Sequence, residues 1–163
     1  MKAYLGILAG LGAMLVLLAL LSCTKVSQPG AEQTQKETKE ELQMPEKMQI
    51  TIDGTTLPIV LENNAATKAL VEALRKGSIT YTASDYGGFE KVGVLGRSLP
   101  ANDSRITTQS GDVILYSGNQ LVLFYGSNPW SYTRIGKMEY DSLDNLKAFL
   151  KAGRGDIKVT LSL

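Results

Sequence analysis

Hydrophobic and polar residues alternate along most of the chain after position 48, a pattern typical of β-strands with one buried face. In MQITIDGTTLPIVLE, Ile50 and Ile52 alternate with polar residues, Asp53-Gly54 favours a tight turn, and a second alternating run follows. This stretch predicts a β-hairpin. Further strands are predicted for ITYTA from Ile79, Val113 to Tyr116, Gln120 to Tyr125, WSYTRIGKM, and DIKVTLSL at the end of the chain.

Two other segments have hydrophobic residues at helical spacing. In NNAATKALVEALRKG, Asn63 or Asn64 is suited to cap a helix that ends at Gly77. A second helix is predicted from Ser142 to Ala152. Its inward-facing residues are expected to be Leu143, Leu146, Phe149 and Leu150.

The order of these elements predicts a mainly β fold with two helices. Closing the strands into a barrel of about eight strands removes exposed sheet edges, and the helices can cover the open ends. A β-sandwich that carries helices is the alternative. Residues 49–163 have the length of one domain, which we expect to be monomeric.

The N-terminal residues have the pattern of an export signal. A positive Lys2 precedes residues 4–21, which carry no charge. A retained membrane-spanning anchor is the alternative, because the run has nearly the required length. The sequence LLSC at positions 20–23 resembles the bacterial lipobox, which implies cleavage after Ser22 and a diacylglycerol thioether on Cys23. We therefore expect a lipoprotein anchored to the cell membrane on its extracytoplasmic side.

The segment that follows has a different composition. Gln, Glu, Lys, Thr and Ser dominate residues 24–48, and almost nothing there is apolar. Such a segment cannot bury enough surface to offset the entropy of ordering it. We divide the chain into a signal peptide at 1–22, a lipidated and disordered tether at 23–48, and a folded domain at 49–163.

Composition excludes several kinds of chemistry. From position 49 onward, 12 Lys and Arg balance 11 Asp and Glu without a basic stripe, so no nucleic-acid interface is predicted. The chain has no histidine, and its only cysteine is Cys23. Ser-His-Asp and Cys-His catalytic arrangements and zinc sites built from His and Cys are therefore excluded. We assign no catalytic residue, cofactor or metal.

A longer stretch resembles a known family. GNQLVLFYGSNPWSYTRIGKM, from Gly118 to Met138, is similar to the part of cyclophilins that carries their active-site glutamine and tryptophan. SDYGGFEKVG and GDVILYSGNQLVLFYGSNPWSYTRIG are closer to the bacterial cyclophilin-like domains, which share the eight-stranded barrel. The likeness covers nearly all of residues 49–163. It implies the fold, whereas one fold hosts many activities.

Cyclophilins isomerise X-Pro bonds with an arginine that polarises the proline amide and an apolar pocket for the ring. The resemblance matches Gln120 and Trp130 to the family's glutamine and tryptophan. It places the arginine within Ile79 to Asp85, where this chain has none, and Val122 stands where a phenylalanine is expected. No histidine follows the tryptophan. These departures argue against isomerase activity, unless an arginine reaches the pocket from Arg97, Arg105 or Arg134.

Aromatic and polar residues form the candidate ligand-binding site, because Tyr and Trp combine apolar area with a hydrogen-bonding tip and Arg pairs with carboxylates. GSNPWS predicts a turn that leaves Trp130 outside the strand ladder. In SDYGGFE, Asp85 and Glu90 either share a pocket or act as a turn cap and a solvated side chain, and we favour the second. Ordinary core and cross-strand packing is the alternative for the aromatic residues. The candidates are Asp85, Tyr86, Glu90, Gln120, Trp130, Tyr132 and Arg134.

Three functions remain open. In order of preference, they are a membrane-anchored module that binds a peptide or small molecule, a structural accessory of a cell-envelope complex, and a degenerate peptidyl-prolyl isomerase. A pocket beside Trp130 favours the first, and a flat apolar patch favours the second. An arginine within reach of Gln120 favours the third.

Lipidation of Cys23 is directly testable. Cells grown with labelled palmitate should label the natural protein and not Cys23→Ala, because the acyl chains need the thioether. Fluorography of the purified proteins gives the answer. Equal label in both would rule out this attachment site.

Overall fold

The computed structural model describes residues 43–163. The signal peptide, Cys23 and most of the tether lie outside these residues. The elements are β1 (Lys47–Ile52), β2 (Thr55–Leu61), α1 (Ala65–Leu74), β3 (Ile79–Tyr86), β4 (Glu90–Val94), β5 (Ser104–Thr107), β6 (Asp112–Tyr116), β7 (Gln120–Phe124), β8 (Pro129–Met138), α2 (Leu143–Phe149) and β9 (Ile157–Ser162).

Eight of the nine described strands close into an antiparallel barrel, in the order β2-β1-β9-β3-β4-β7-β6-β8. The barrel closes where β8 pairs with β2, from Ile59↔Met138 to Leu61↔Gly136. β5 lies outside this ring and pairs only with the first half of β8. The predicted mainly β barrel with two helices is thus confirmed, and the sandwich is excluded.

The first hairpin forms as predicted, because Asp53 and Gly54 both adopt positive φ angles of 48° and 79° in its tight turn. Its first strand begins earlier than expected. β1 starts at Lys47, and Met48 is fully buried in the core. The tether and domain boundary expected at 48/49 therefore lies at least two residues too late, because Met48 supplies an apolar side chain that pattern analysis assigned to the tether.

Both helices contribute to the barrel core. Asn64 caps α1 by accepting a hydrogen bond from the Thr67 backbone N–H at 2.9 Å. α2 is shorter than predicted and begins after its cap, Ser142. Leu143 was predicted to face inward, but it is 43% exposed. The helix is short, and of its residues Leu146 is the one that is buried in the core. The core residues from the helices are Ala66, Leu70, Leu74, Leu146 and Leu150. Within residues 43–163, no helix has the length and apolarity that a membrane crossing requires.

Strands β6 and β7 are buried on both faces, as their continuous apolar runs VILY and QLVLF imply. One set of alternating residues, including Leu115 and Leu123, belongs to the barrel interior. The other set forms a second apolar cluster on the outer face of the barrel. This outer cluster consists of Ile114, Val122, Phe124 and Tyr132, with Phe89, Val92, Ile106 and Tyr116 packed against it.

An ion pair between a buried lysine and a partly exposed aspartate joins β3 to β4. Asp85 lies opposite Lys91, whose side chain is completely buried and whose Nζ is 2.8 Å from Asp85 Oδ2. Lys91 also donates to the Gly155 carbonyl. Partial burial acts to raise the pKa of Asp85, but hydrogen bonds from Lys91, the Gly153 and Gly155 amides and the Tyr125 hydroxyl lower it to about 2. Asp85 therefore holds the loop after α2 against the barrel.

Replacing Asp85 should be costly. Asp85→Asn leaves the Lys91 ammonium buried without its counter-ion, and we expect a loss of about 3–5 kcal/mol in the free energy of unfolding at neutral pH. Urea denaturation measures it. The loss should shrink as the pH falls from 3.8 toward about 2, because the natural carboxyl then protonates as well.

The matched control is Asp53→Asn, which removes an ion pair with Lys151 between side chains that are 60% and 39% exposed. Such exposed pairs contribute about 0–1 kcal/mol. The double variant Asp85→Asn/Lys91→Met should recover much of the lost stability, because it removes the unpaired charge. Equal losses of unfolding free energy for Asp85→Asn and Asp53→Asn would show that the Asp85–Lys91 ion pair does not stabilise the fold.

Candidate functional site

A groove of about 620 Å³ opens on the outer face of the barrel, above the outer apolar cluster. Outward-facing residues of β4, β6, β7 and β8 form its floor and walls, and the turn between β3 and β4 forms one rim. Because side chains alternate along a strand, every second residue of β4 and β7 reaches it. The lining residues are Tyr86, Gly87, Phe89, Glu90, Val92, Tyr116, Gln120, Val122, Asn128, Trp130 and Tyr132.

Aromatic contacts hold the groove in shape. The rings of Phe89 and Phe124 stack with their centroids 6.2 Å apart, and Phe124 meets Tyr132 edge-on at 5.7 Å. Tyr132 in turn meets Tyr116 edge-on at 5.9 Å. This chain of rings runs from the β3–β4 turn across three strands, in geometries that aromatic pairs prefer. The groove is therefore largely formed before any ligand arrives.

The rim turn is tied to the barrel through Phe89. Its carbonyl accepts hydrogen bonds from the Tyr125 and Gly126 amides, both at 2.9 Å. A Cβ on Gly126 would lie 2.7 Å from Phe89 Cβ, so only glycine allows this approach. Gly87 has a φ of +60° in the same turn, which glycine adopts without strain. These constraints place Tyr86, 67% exposed, at the edge of the groove.

Trp130 and Tyr132 line the opposite wall. Trp130 is 52% exposed and is the second residue of β8, where it pairs with Ile106 of β5. The predicted turn at GSNPWS is therefore wrong at this residue, because β5 supplies a partner strand from a segment with little hydrophobic pattern. Tyr132 is buried, and its hydroxyl accepts a hydrogen bond from Asn128 Nδ2 at 2.8 Å. Burial raises the pKa of Tyr132.

Glu90 lies at the inner end of the rim turn and is only 5% exposed, so the expectation of a solvated side chain is wrong. It pairs across the ladder with Tyr86 on one side and Phe124 on the other. Its Oε2 is buried and has no hydrogen-bond partner within residues 43–163. Burial raises the pKa of Glu90 to about 7, because the charged form loses its hydration.

Five of the seven candidate residues from the sequence line this groove: Tyr86, Glu90, Gln120, Trp130 and Tyr132. Asp85 does not, because adjacent strand residues point to opposite faces and Asp85 faces Lys91. Arg134 also lies elsewhere, with its Nη1 2.7 Å from Oδ2 of the buried Asp112. Six lining residues are not among the seven candidates: Gly87, Phe89, Val92, Tyr116, Val122 and Asn128. The apolar Phe89 directly after two glycines was the available signal.

The groove offers aromatic and apolar surface, hydrogen-bonding groups and one carboxyl group. Gln120, Val122 and Trp130 do lie together, as the resemblance to cyclophilins implies. No arginine or lysine is among the lining residues. Apart from the tyrosines, Glu90 is the only lining residue with a titratable side chain. Among residues 43–163, no group of three potential metal ligands comes together.

Glu90 should make the stability depend on pH. The carboxyl protonates at about 7 in the folded protein and at 4.5 when unperturbed, so the folded state holds the extra proton in this window. Stability should therefore fall by roughly 3 kcal/mol as the pH rises through it. Urea denaturation should show Glu90→Gln equal to the natural protein at the acid end and more stable at the alkaline end.

The control is Glu72→Gln on α1, the same chemical change at a side chain that is 62% exposed. It should leave the pH profile unchanged. A Glu90→Gln profile parallel to that of the natural protein would show that Glu90 does not titrate in this window.

Comparisons with known proteins agree with the fold. Among proteins with curated descriptions, none matches this sequence significantly. The solution structure of a hypothetical protein from Archaeoglobus fulgidus superimposes with a TM-score of 0.51 at 17% identity, over 75% of this chain and 97% of that one. At this identity the likeness concerns the fold alone. The model of the Cyclophilin-like family matches residues 50–162, and the chain therefore belongs to that family.

Proposed function

We propose that this protein is a membrane-anchored, extracytoplasmic lipoprotein whose cyclophilin-like domain binds a peptide or small ligand in the aromatic groove. The main support for this proposal is the groove itself, which has a volume of about 620 Å³ and is lined by five aromatic side chains. That volume lies within the roughly 300–1,000 Å³ typical of ligand pockets. The lipobox-like LLSC sequence supports the anchored part of the proposal.

The rim residues support a binding role. Trp130 and Tyr86 are 52% and 67% exposed, although both have large apolar surfaces. Below them, Val122 and Phe124 are almost completely buried, so the floor is rigid while the rim is open. A ligand that covers the rim removes this apolar area from water, which contributes about 25 cal/mol per Å². Aromatic residues in such positions are the usual anchors of binding sites.

The other two functions fit the groove less well. An isomerase that polarises the proline amide needs a cation at the site, and the groove contains none among the described residues. A structural accessory of an envelope complex would be expected to present a flat apolar patch, whereas this surface is concave and formed in advance. The binding module is therefore the function that we propose.

Trp130 provides the test, because it is the only tryptophan in the chain. We expect red-shifted, quenchable emission, and a change in emission when a binding peptide or metabolite is found in a screen. Trp130→Ala should abolish binding of that ligand in calorimetry and cost less than about 1 kcal/mol of stability, since half of the side chain is already exposed.

The matched control is Leu143→Ala, which shortens a side chain of similar exposure, 43%, away from the groove. Its binding should equal that of the natural protein. A loss of several kcal/mol on Trp130→Ala together with blue, unquenchable emission would assign Trp130 to the core and overturn the proposal.

A further inference from the structure

The groove contains one buried acidic group without a counter-ion. Glu90 lines the groove and is only 5% exposed. Its Oε2 has no hydrogen-bond partner among residues 43–163. Burying an unpaired carboxylate costs several kcal/mol, and native structures normally avoid it. A residue that serves only the fold would be expected to be apolar here, like its outward-facing neighbour Val92.

The lysine next to Glu90 in the sequence does not neutralise it. Lys91 follows it directly in β4, but its Nζ lies on the opposite face of the strand, 2.8 Å from Asp85 Oδ2. The other titratable side chains that line the groove are tyrosines: Tyr86 of β3, Tyr116 of β6 and Tyr132 of β8. Tyr125, after β7, interacts electrostatically with Glu90, but its hydroxyl donates a hydrogen bond to Asp85. None of these groups supplies a positive charge.

The surroundings of Glu90 suit a cation. Tyr86, Tyr116, Trp130 and Tyr132 are grouped around the groove, and the negative faces of aromatic rings attract ammonium and guanidinium groups. The carbon chain attached to such a group packs on the same rings. An anion would instead meet a carboxylate with no compensating positive charge.

We propose that the groove recognises an organic cation, an ammonium or guanidinium group on a carbon chain, through an ion pair with Glu90. This inference rests on the proposed binding function of the groove. The cation belongs either to a free alkylamine or to a lysine or arginine side chain of a peptide. Both sources share the same chemistry at Glu90.

The pH dependence of binding distinguishes a cationic ligand from a neutral one. A protonated Glu90 would donate a hydrogen bond to a neutral carbonyl, and its ligand would bind more tightly at acid pH. A cation needs the ionised carboxylate, so its affinity falls as the pH drops below the pKa of Glu90, until it equals the affinity of a neutral analogue of the same shape. Tyr125, with a pKa raised to about 12, and Tyr132, whose pKa is also raised, do not titrate in this range.

The experiment compares acetyl-arginine amide with acetyl-citrulline amide, which has the same shape without the positive charge. The full-length protein in detergent micelles is titrated with each probe, and Trp130 emission and calorimetry report binding. At about pH 8 we expect arginine to bind about tenfold or more tightly than citrulline, as hydrogen bonds to charged groups imply. At about pH 5.5 the difference should nearly vanish.

Glu90→Gln should abolish the preference for arginine at both pH values, and it should fold because it resembles the protonated carboxyl. Glu72→Gln on α1 is the control and should keep the preference. In the natural protein, bound arginine amide should also lower the pKa of Glu90, measured from its side-chain carboxyl carbon by NMR. A merely structural Glu90 would not show this shift.

The outcomes separate this inference from the proposed function. Equal binding of arginine and citrulline, lost in Trp130→Ala and unaffected by Glu90→Gln, would overturn the cation and leave the groove as a binding site. Binding that strengthens at acid pH would also overturn it. Agmatine, a free alkylamine that carries a guanidinium group, is then compared with the peptide Gly-Gly-Arg-Gly-Gly. Tighter binding of agmatine would indicate a free alkylamine as the ligand, and tighter binding of the peptide would indicate an arginine side chain.

Discussion

Strands β6 and β7 must bury both of their faces, and much of the structure follows from this constraint. Barrel closure covers the inner face, where Leu115 and Leu123 join the main core. The outer face needs a different cover, since no second sheet from residues 43–163 packs on it. β5, added to the edge of β8, and Phe89, stacked on Phe124, cover part of it. The part that they leave open is the groove.

Two carboxylates five residues apart have opposite energetic roles because of strand alternation. Asp85 and Lys91 face one side of the β3–β4 ladder, where charge and counter-ion lie 2.8 Å apart and several hydrogen bonds complete the pair. Tyr86 and Glu90 face the other side, where the carboxyl has no cation. The first arrangement stabilises the fold, while the second costs stability at neutral pH. Groups that cost stability and line a cavity are common at functional sites.

The groove also shows how one fold supports different chemistry. Gln120 and Trp130 lie in the region that a resemblance to cyclophilins implies, and Val122 lies between them on the floor. Cyclophilins need a positive charge there to polarise an amide. Among the lining residues here there is no arginine or lysine, and the acidic group is the carboxyl of Glu90. The same fold therefore presents a different set of ionisable groups at this position.

The sequence by itself determined the features that depend on local pattern. Alternation predicted seven of the nine described strands, with β4 and β5 as the exceptions, Asp53-Gly54 predicted the first turn, and Asn64 was one of two residues suited to cap α1. Each of these features depends on residues close together in the chain. Only the tertiary structure decided which side chains share a surface. Trp130 became a strand residue because β5 pairs with it, and Glu90 became buried because Tyr86 and Phe124 flank it from other strands. Burial and counter-ions depend on such distant neighbours, and local pattern carries no information about them.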